Sequence, residues 1–195
     1  MKGVFLIKTA PTEEPVTTAQ AKTHMRVDIS DDDTLIGTLI KAARRWIENL
    51  TGIRMVTQTW YYYLDAFPCG DIIKLPIGPV SSISSVKYTD ADGAVSTLAA
   101  SNYEVDTVSI PARIVLKENS AWPSTTLKVV NGVTIEFVAG YGAAAAVPEE
   151  LTLALKMVIE HWYEHRGAVT EMRLEETPLT VQNLLADFFM YQRET

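Results

Sequence analysis

Residues 160–167 read Glu-His-Trp-Tyr-Glu-His-Arg-Gly. Within them His161-x-x-Glu164-His165 has the spelling of the inverted zinc-hydrolase motif. On a helix, residues four apart share a face, so His161 and His165 could reach one zinc ion while Glu164 polarises its water. Such a site needs a third protein ligand and an open fourth position. The other histidine, His24, lies far back in the chain, and the acids Glu175 and Glu176 have no distinctive spacing. The same letters also suit an ordinary helix end. On a wheel anchored by Leu151, Leu155 and Trp162, His165 borders the apolar face and His161 sits further round. His165 and Arg166 in a last turn also complement the helix dipole. The helix-end reading is preferred, and a small zinc-dependent hydrolase built on residues 161–165 stands as the alternative.

Other catalytic signatures are missing: there is no G-x-S-x-G, P-loop or dinucleotide fingerprint. Gly140 and Gly142 lack a third glycine and read as a tight strand-to-helix turn. The run Tyr61–Tyr63 admits two readings, a binding surface or the alternating faces of a strand. A carbohydrate- or host-binding module would favour clustered tryptophans, but Trp46, Trp60, Trp122 and Trp162 are scattered along the chain.

Composition sets the frame in which such groups would have to be held. The 195 residues suit one large domain or two small ones, and 47% hydrophobic with 21% charged residues is ordinary for a chain with a packed core. The formal net charge of −7 argues against non-specific nucleic-acid binding, which needs clustered Lys and Arg. It is compatible with a wall that DNA slides past. A single cysteine, Cys69, excludes an intrachain disulfide and a Cys-rich zinc site. The run Val4–Ile7 is too short for a signal peptide, and no apolar stretch approaches the roughly 20 residues that span a bilayer. A soluble protein made in the cytoplasm is expected.

Three regions differ in period. In the first, Thr17-x-x-Gln20 predicts a capping box opening a short helix to about Arg26. The acidic run "DISDDD" then suits a second helix start, capped by Ser30 or an Asp. Leu35, Ile36, Leu39, Ile40, Ala43, Ile47 and Leu50 form one apolar stripe, with Arg44, Arg45 and Glu48 largely off it and Gly52 as the stop.

The second region reads as strands: "VTQTWYYYLDAF", "DIIKLP", "SISSVKYTD", "SNYEVD", "ARIVLK" and "GVTIEFVAGYG". Asp92-Gly93 and Asn131-Gly132 are hairpin signals. Pro76, Pro79 and Pro111 belong at strand ends or edges.

In the third region Pro148, Glu149 and Glu150 open a helix that carries Leu151, Leu155, Val158, Ile159 and Trp162 and stops near Gly167. The alanines 143–146 either extend that helix or link to it. A polar loop precedes Pro178, and "LTVQNLLADFFMY" reads as a last amphipathic helix. The expected class is α+β: a four-helix core from the N- and C-terminal segments, residues 1–54 and 141–195, with a small antiparallel β unit inserted at 55–140.

Assembled, these pieces resemble the head–tail connector proteins of long-tailed phages. The resemblance is carried by "EPVTTAQAKTHMRVDISDDDTLIGTLIKAARRWIENLTG", "IKLPIGPVSSISSVKYTDADG", "FVAGYG", "VPEELTLALKMVIEHWYEHR" and "PLTVQNLLADF", in one order over nearly the whole chain. It implies a structural adaptor without enzymatic activity and without a cofactor or metal. Such a subunit forms a ring of about a dozen copies below the portal protein, meets the next neck or tail-completion protein, and extends a channel through which DNA passes without specific binding. It further implies a place in the virion at the capsid–tail junction, manufacture in the host bacterial cytoplasm, and no membrane partner. Physical bets for the interface are Glu171, Arg173, Glu175 and Glu176 in the polar loop 168–177, and Phe188, Phe189 and Tyr191 in the apolar tail. The competing role for Phe188 and Phe189 is completion of the subunit's own core.

Overall fold

The computed structural model describes residues 3–165 and 179–191. By packing it divides into two compact units. Among the described residues, one takes Thr12–Val56 and those from Tyr141 to Tyr191, and the other takes Thr57–Gly140 with the N-terminal segment through Pro11.

The first unit is helical: α1 (Thr18–Met25), α2 (Asp33–Thr51), α3 (Glu149–Glu164) and α4 (Leu179–Leu185). α1 begins as its sequence demands. The Thr17 hydroxyl accepts from the Gln20 amide, and the Gln20 side chain accepts in return from the Thr17 amide, which closes the capping box. α2 is flanked by Asp32 without a side-chain cap and by Gly52, whose φ of 78° lets the chain leave in the left-handed region. α3 opens after Pro148 with Glu149 and Glu150 in its first turn, at the positive end of the dipole. It ends at Glu164, short of the expected stop at Gly167. The alanines at 144–146 form one 310 turn, separate from α3. The last expected helix is also shorter, because α4 passes into a 310 stretch at Ala186–Tyr191.

The core of this unit joins Ile36, Ile40, Ala43 and Ile47 of α2 to Leu151, Leu155, Val158 and Ile159 of α3, with Val181 and Leu185 of α4 and Ala21 of α1. Two residues expected off the α2 stripe, Arg44 and Glu48, are buried within it. Arg45 stays exposed.

The second unit is β: two antiparallel sheets that share one core. In chain order its strands are β1 (Val4–Thr9), β2 (Gln58–Leu64), β3 (Ile72–Leu75), β4 (Val80–Thr89), β5 (Val95–Thr97), β6 (Tyr103–Asp106), β7 (Ala112–Leu116) and β8 (Val133–Ala139). The five-stranded sheet runs β1-β2-β8-β4-β5 and the three-stranded sheet β3-β7-β6. Between them lie Leu64, Val86, Val133, Ile135 and Phe137 from the larger sheet and Ile73, Leu75, Ala112 and Ile114 from the smaller.

Two strands escaped the sequence. Residues 1–54 were assigned to the helical core, yet β1 pairs with β2, Val4 opposite Tyr63 and Leu6 opposite Tyr61. Phe5 stacks on Tyr62 at 4.3 Å and meets Phe137 edge-on. Gly3 fits beside this stack because a Cβ there would come within 2.2 Å of the Tyr62 ring. β5 is the three-residue arm of the Asp92-Gly93 hairpin, whose turn is held by Asp90 accepting from the Asp92 and Ala94 amides. The second hairpin signal, Asn131-Gly132, forms a turn but no hairpin. It follows a long irregular stretch and feeds β8, which lies between β2 and β4. Gly132 is needed there because a Cβ would crowd the Asp65 and Lys128 carbonyl oxygens at under 3 Å.

Candidate functional site

The His161–His165 pair sits at the C-terminal end of α3. His165 follows the last helical residue; its amide donates to the His161 carbonyl, and its Nδ1 lies 2.8 Å from the same oxygen. That contact makes Nδ1 the donor, so only Nε2 remains free to ligate. The two rings lie 4.5 Å apart, and Glu164 faces solvent. His24 does reach α3 but pairs with Glu160, at 3.2 Å. Among the described residues no three His, Cys, Asp or Glu side chains converge as a metal site would require. Glu175 and Glu176 lie outside the described residues.

Each neighbour in this stretch has a packing partner on another helix. Trp162 meets Trp46 of α2 edge-to-face at 6.2 Å. The Tyr163 hydroxyl donates to Asp32 ahead of α2 at 2.5 Å. The Glu160–His24 contact joins α3 to α1. Glu160, Trp162 and Tyr163 therefore fasten α3 to α1, to α2 and to the turn before α2.

The charged centre of the helical unit lies elsewhere. The Arg44 guanidinium donates to Glu14 at 2.6 Å and to Glu48 at 2.9 Å. Burial draws its proton affinity down, but the two carboxylates outweigh that and hold its pKa above the ordinary value. Burial lowers the pKa of Arg54, whose Nη1 donates to the Glu48 and Ile53 carbonyl oxygens. The second Glu48 oxygen accepts from the Met55 amide at 3.0 Å. The Met55 carbonyl takes the Tyr141 amide, and Glu13 takes the Ala144 amide. Within the helical unit, the segments around Glu13–Glu14, Arg54–Met55 and Tyr141–Ala144 are thus hydrogen-bonded to one another and to α2. Sequence pattern could not show this, because Glu14 is thirty residues from Arg44.

In the β unit, Asp106 accepts from the Val108 and Ser109 amides, the Ser109 hydroxyl and Arg113 Nε. The Ser109 bonds first, then Arg113, hold its carboxyl far below the usual carboxylate range. The result is an ordered β6–β7 turn that presents Val108 almost fully exposed.

The alternating tyrosines divide by face. Tyr62 is in the core, whereas Tyr61 and Tyr63 are half-buried, belong to neither core cluster and lie 5.8 Å apart on the outer face of the five-stranded sheet. Beside them on β1 are Val4, 64% exposed, and Leu6, 55% exposed. Lys8 closes the patch, bonded to Glu136 at 2.6 Å and lying over the Tyr61 ring.

Of the residues chosen as interface candidates, Glu171, Arg173, Glu175 and Glu176 lie outside the described residues, as does the side chain of Tyr191. Phe188 and Phe189 are half-buried against the helical core.

Comparison with known proteins places the chain among relatives by sequence and by fold. The family signature of the head completion proteins (HCP) matches residues 16–175. Three solved structures share the fold, each at 23% identity: the neck of an empty gene transfer agent (GTA) particle computed with C6 symmetry, with a TM-score of 0.77 over 95% of this chain and 94% of that one; the virion of a native GTA particle, with 0.79 over the same shares; and the neck of a native GTA particle computed with C12 symmetry, with 0.76 over 96% and 94%. No curated protein matches the chain.

Proposed function

The chain belongs to the head completion protein family, and from that premise we propose that it is the structural subunit joining a phage-type head to its tail, seated in the neck of the particle. The observation that carries this is the family signature over residues 16–175, in a fold shared end to end with neck and virion proteins. The work is mechanical. A connector must be rigid and must offer surfaces to different neighbours. The helical unit supplies the rigid block, with its helices around one core and the Arg44–Glu14–Glu48 cluster tying α2 to the segment before α1. We take the β unit as an inserted domain whose exposed faces make contacts.

Several copies form a closed ring below the portal protein, on about the scale of a dozen subunits, in heterologous contacts that close when the rotation per copy divides the circle. The C6 and C12 symmetries of the two neck structures support cyclic assembly. The next neck or tail-completion protein takes the ring's far side, and DNA passes through the ring without specific binding, aided by the net charge of −7. The loop acids Glu171, Glu175 and Glu176, with Arg173, face one of these partners, and Phe188, Phe189 and Tyr191 lie close to another.

The test is reconstitution. Purified portal mixed with this protein, imaged by electron microscopy, gains a tier of density below the portal, and particles made without the protein hold packaged heads unable to take tails. Tails attaching normally in its absence would refute the assignment.

A further inference from the structure

Among the described residues, the five-stranded sheet of the β unit leaves its two outer edges unpaired, and each carries exposed apolar side chains. β1 ends one side of the five-stranded sheet and β5 ends the other. Natural edges are guarded against pairing by charges, prolines, bulges or shortness. The open stretch of β4 beyond β5 follows that rule: it is bulged at two points and lined by the exposed Ser81, Ser82 and Ser84. Along Val4–Ile7 the guards are absent. Its one irregularity falls at Ile7/Thr9, and Val4 and Leu6 project into solvent beside Tyr61 and Tyr63. A contiguous apolar and aromatic patch next to an open row of backbone donors and acceptors is the form of a strand-addition site.

We infer that the β1 edge, with Val4, Leu6, Tyr61 and Tyr63, receives the β5 edge of a second copy of this chain, so that the larger sheets of neighbouring subunits adjoin around the ring. The inference rests on the ring reading above and names its lateral contact. Three observations select a second copy as the occupant. Each step across the sheet is antiparallel, so β1 and β5, four steps apart, run in the same direction. A neighbour related by a small rotation therefore presents β5 alongside β1 in parallel. Pairing β1 with another β1 would need a two-fold axis and would stop at a dimer. Second, the β5 edge is itself apolar at Val95, which is 64% exposed. Third, charge is divided unevenly. Among the described residues the β unit carries six Lys or Arg against eight Asp or Glu, whereas the helical unit carries seven against twelve. Copies can adjoin through the near-neutral β unit without the repulsion that the acidic helical unit would bring.

The experiment uses the full chain assembled on purified portal. In a Cys69→Ser background, which removes the one exposed thiol, Leu6→Cys and Thr97→Cys, which lie on the same outer face of the sheet, are placed together in each chain. A short bismaleimide then yields a denaturation-resistant ladder of covalent multimers rising to the ring's copy number, while either cysteine alone gives none. Separately, Val4→Lys with Leu6→Lys lowers ring occupancy on the portal at least tenfold without moving the melting temperature. A ring in the micrographs without a ladder, or with full occupancy by the lysine variant, overturns this contact and leaves the ring standing. Failure of the unaltered protein to form any ring refutes the ring itself, and this contact with it.

Discussion

Arg44 and Glu48, one turn apart on α2 and each about 5% exposed, are joined by a charge-assisted hydrogen bond of 2.9 Å. An exposed pair at this spacing contributes a few tenths of a kcal/mol. Here burial changes the arithmetic, because removing Arg44 strands the Glu48 carboxylate out of water. Arg44→Met leaves Glu14 and Glu48 without their cation and is expected to cost about 3–5 kcal/mol. Urea unfolding followed through Trp46 and Trp162, both in the helical unit, measures it. A loss below about 1 kcal/mol would mean that water reaches the carboxylates freely.

That cluster marks where sequence reading stopped. The α+β class, the Thr17–Gln20 box, Gly52 as a stop and six of the eight strands were legible, because each rests on local period or local chemistry. Arg44 and Glu48 were set off the apolar stripe because hydropathy cannot see Glu14 arriving from a distant segment. β1 was missed for a related reason: six residues with Val4 and Leu6 outward lack the alternation of a half-buried strand. Asn131-Gly132 misled because Asn-Gly marks a tight turn, and only long-range pairing decides whether two strands flank it. The tyrosine run was legible as a strand with two faces, but not which face stayed uncovered.

The β6–β7 turn depends on an ionised Asp106. Its folded pKa is depressed, so the stability it confers is fully present above the unfolded value, about 3.9, and is lost as pH falls through the lower folded value. The turn should therefore stay ordered at pH 4, where free aspartates are half protonated. Amide exchange at Val108 and Ser109 reads this directly. Asp106→Asn should speed exchange at both even at neutral pH, and unchanged protection would disprove the role.

The helix-end account of the histidine pair makes a prediction opposite to the hydrolase alternative. His161→Ala with His165→Ala should shift stability by less than about 1 kcal/mol, since both rings are only half-buried. Calorimetric titration of the unaltered protein with zinc should show no stoichiometric site. One tightly bound zinc per chain, lost in the double variant, would put the hydrolase alternative ahead of the helix-end reading.

The contacts that replace metal chemistry in the same stretch should be the ones that matter. Tyr163 donates to Asp32, and Trp162 packs on Trp46, so both fasten the end of α3 to α2 and the turn before it. Tyr163→Phe removes only a hydroxyl and should cost about 0.5–1.5 kcal/mol, more if Asp32 stays dry. Trp162→Ala opens space beside Trp46 and should cost about 3 kcal/mol. Because Tyr163 and Trp162 are adjacent and act on the same two helices, the paired variant should depart from additivity. Thermal unfolding of the four proteins in the cycle decides the matter. Strict additivity would mean that the two side chains hold α3 independently, and the description of Trp162 and Tyr163 as a single lock would fail.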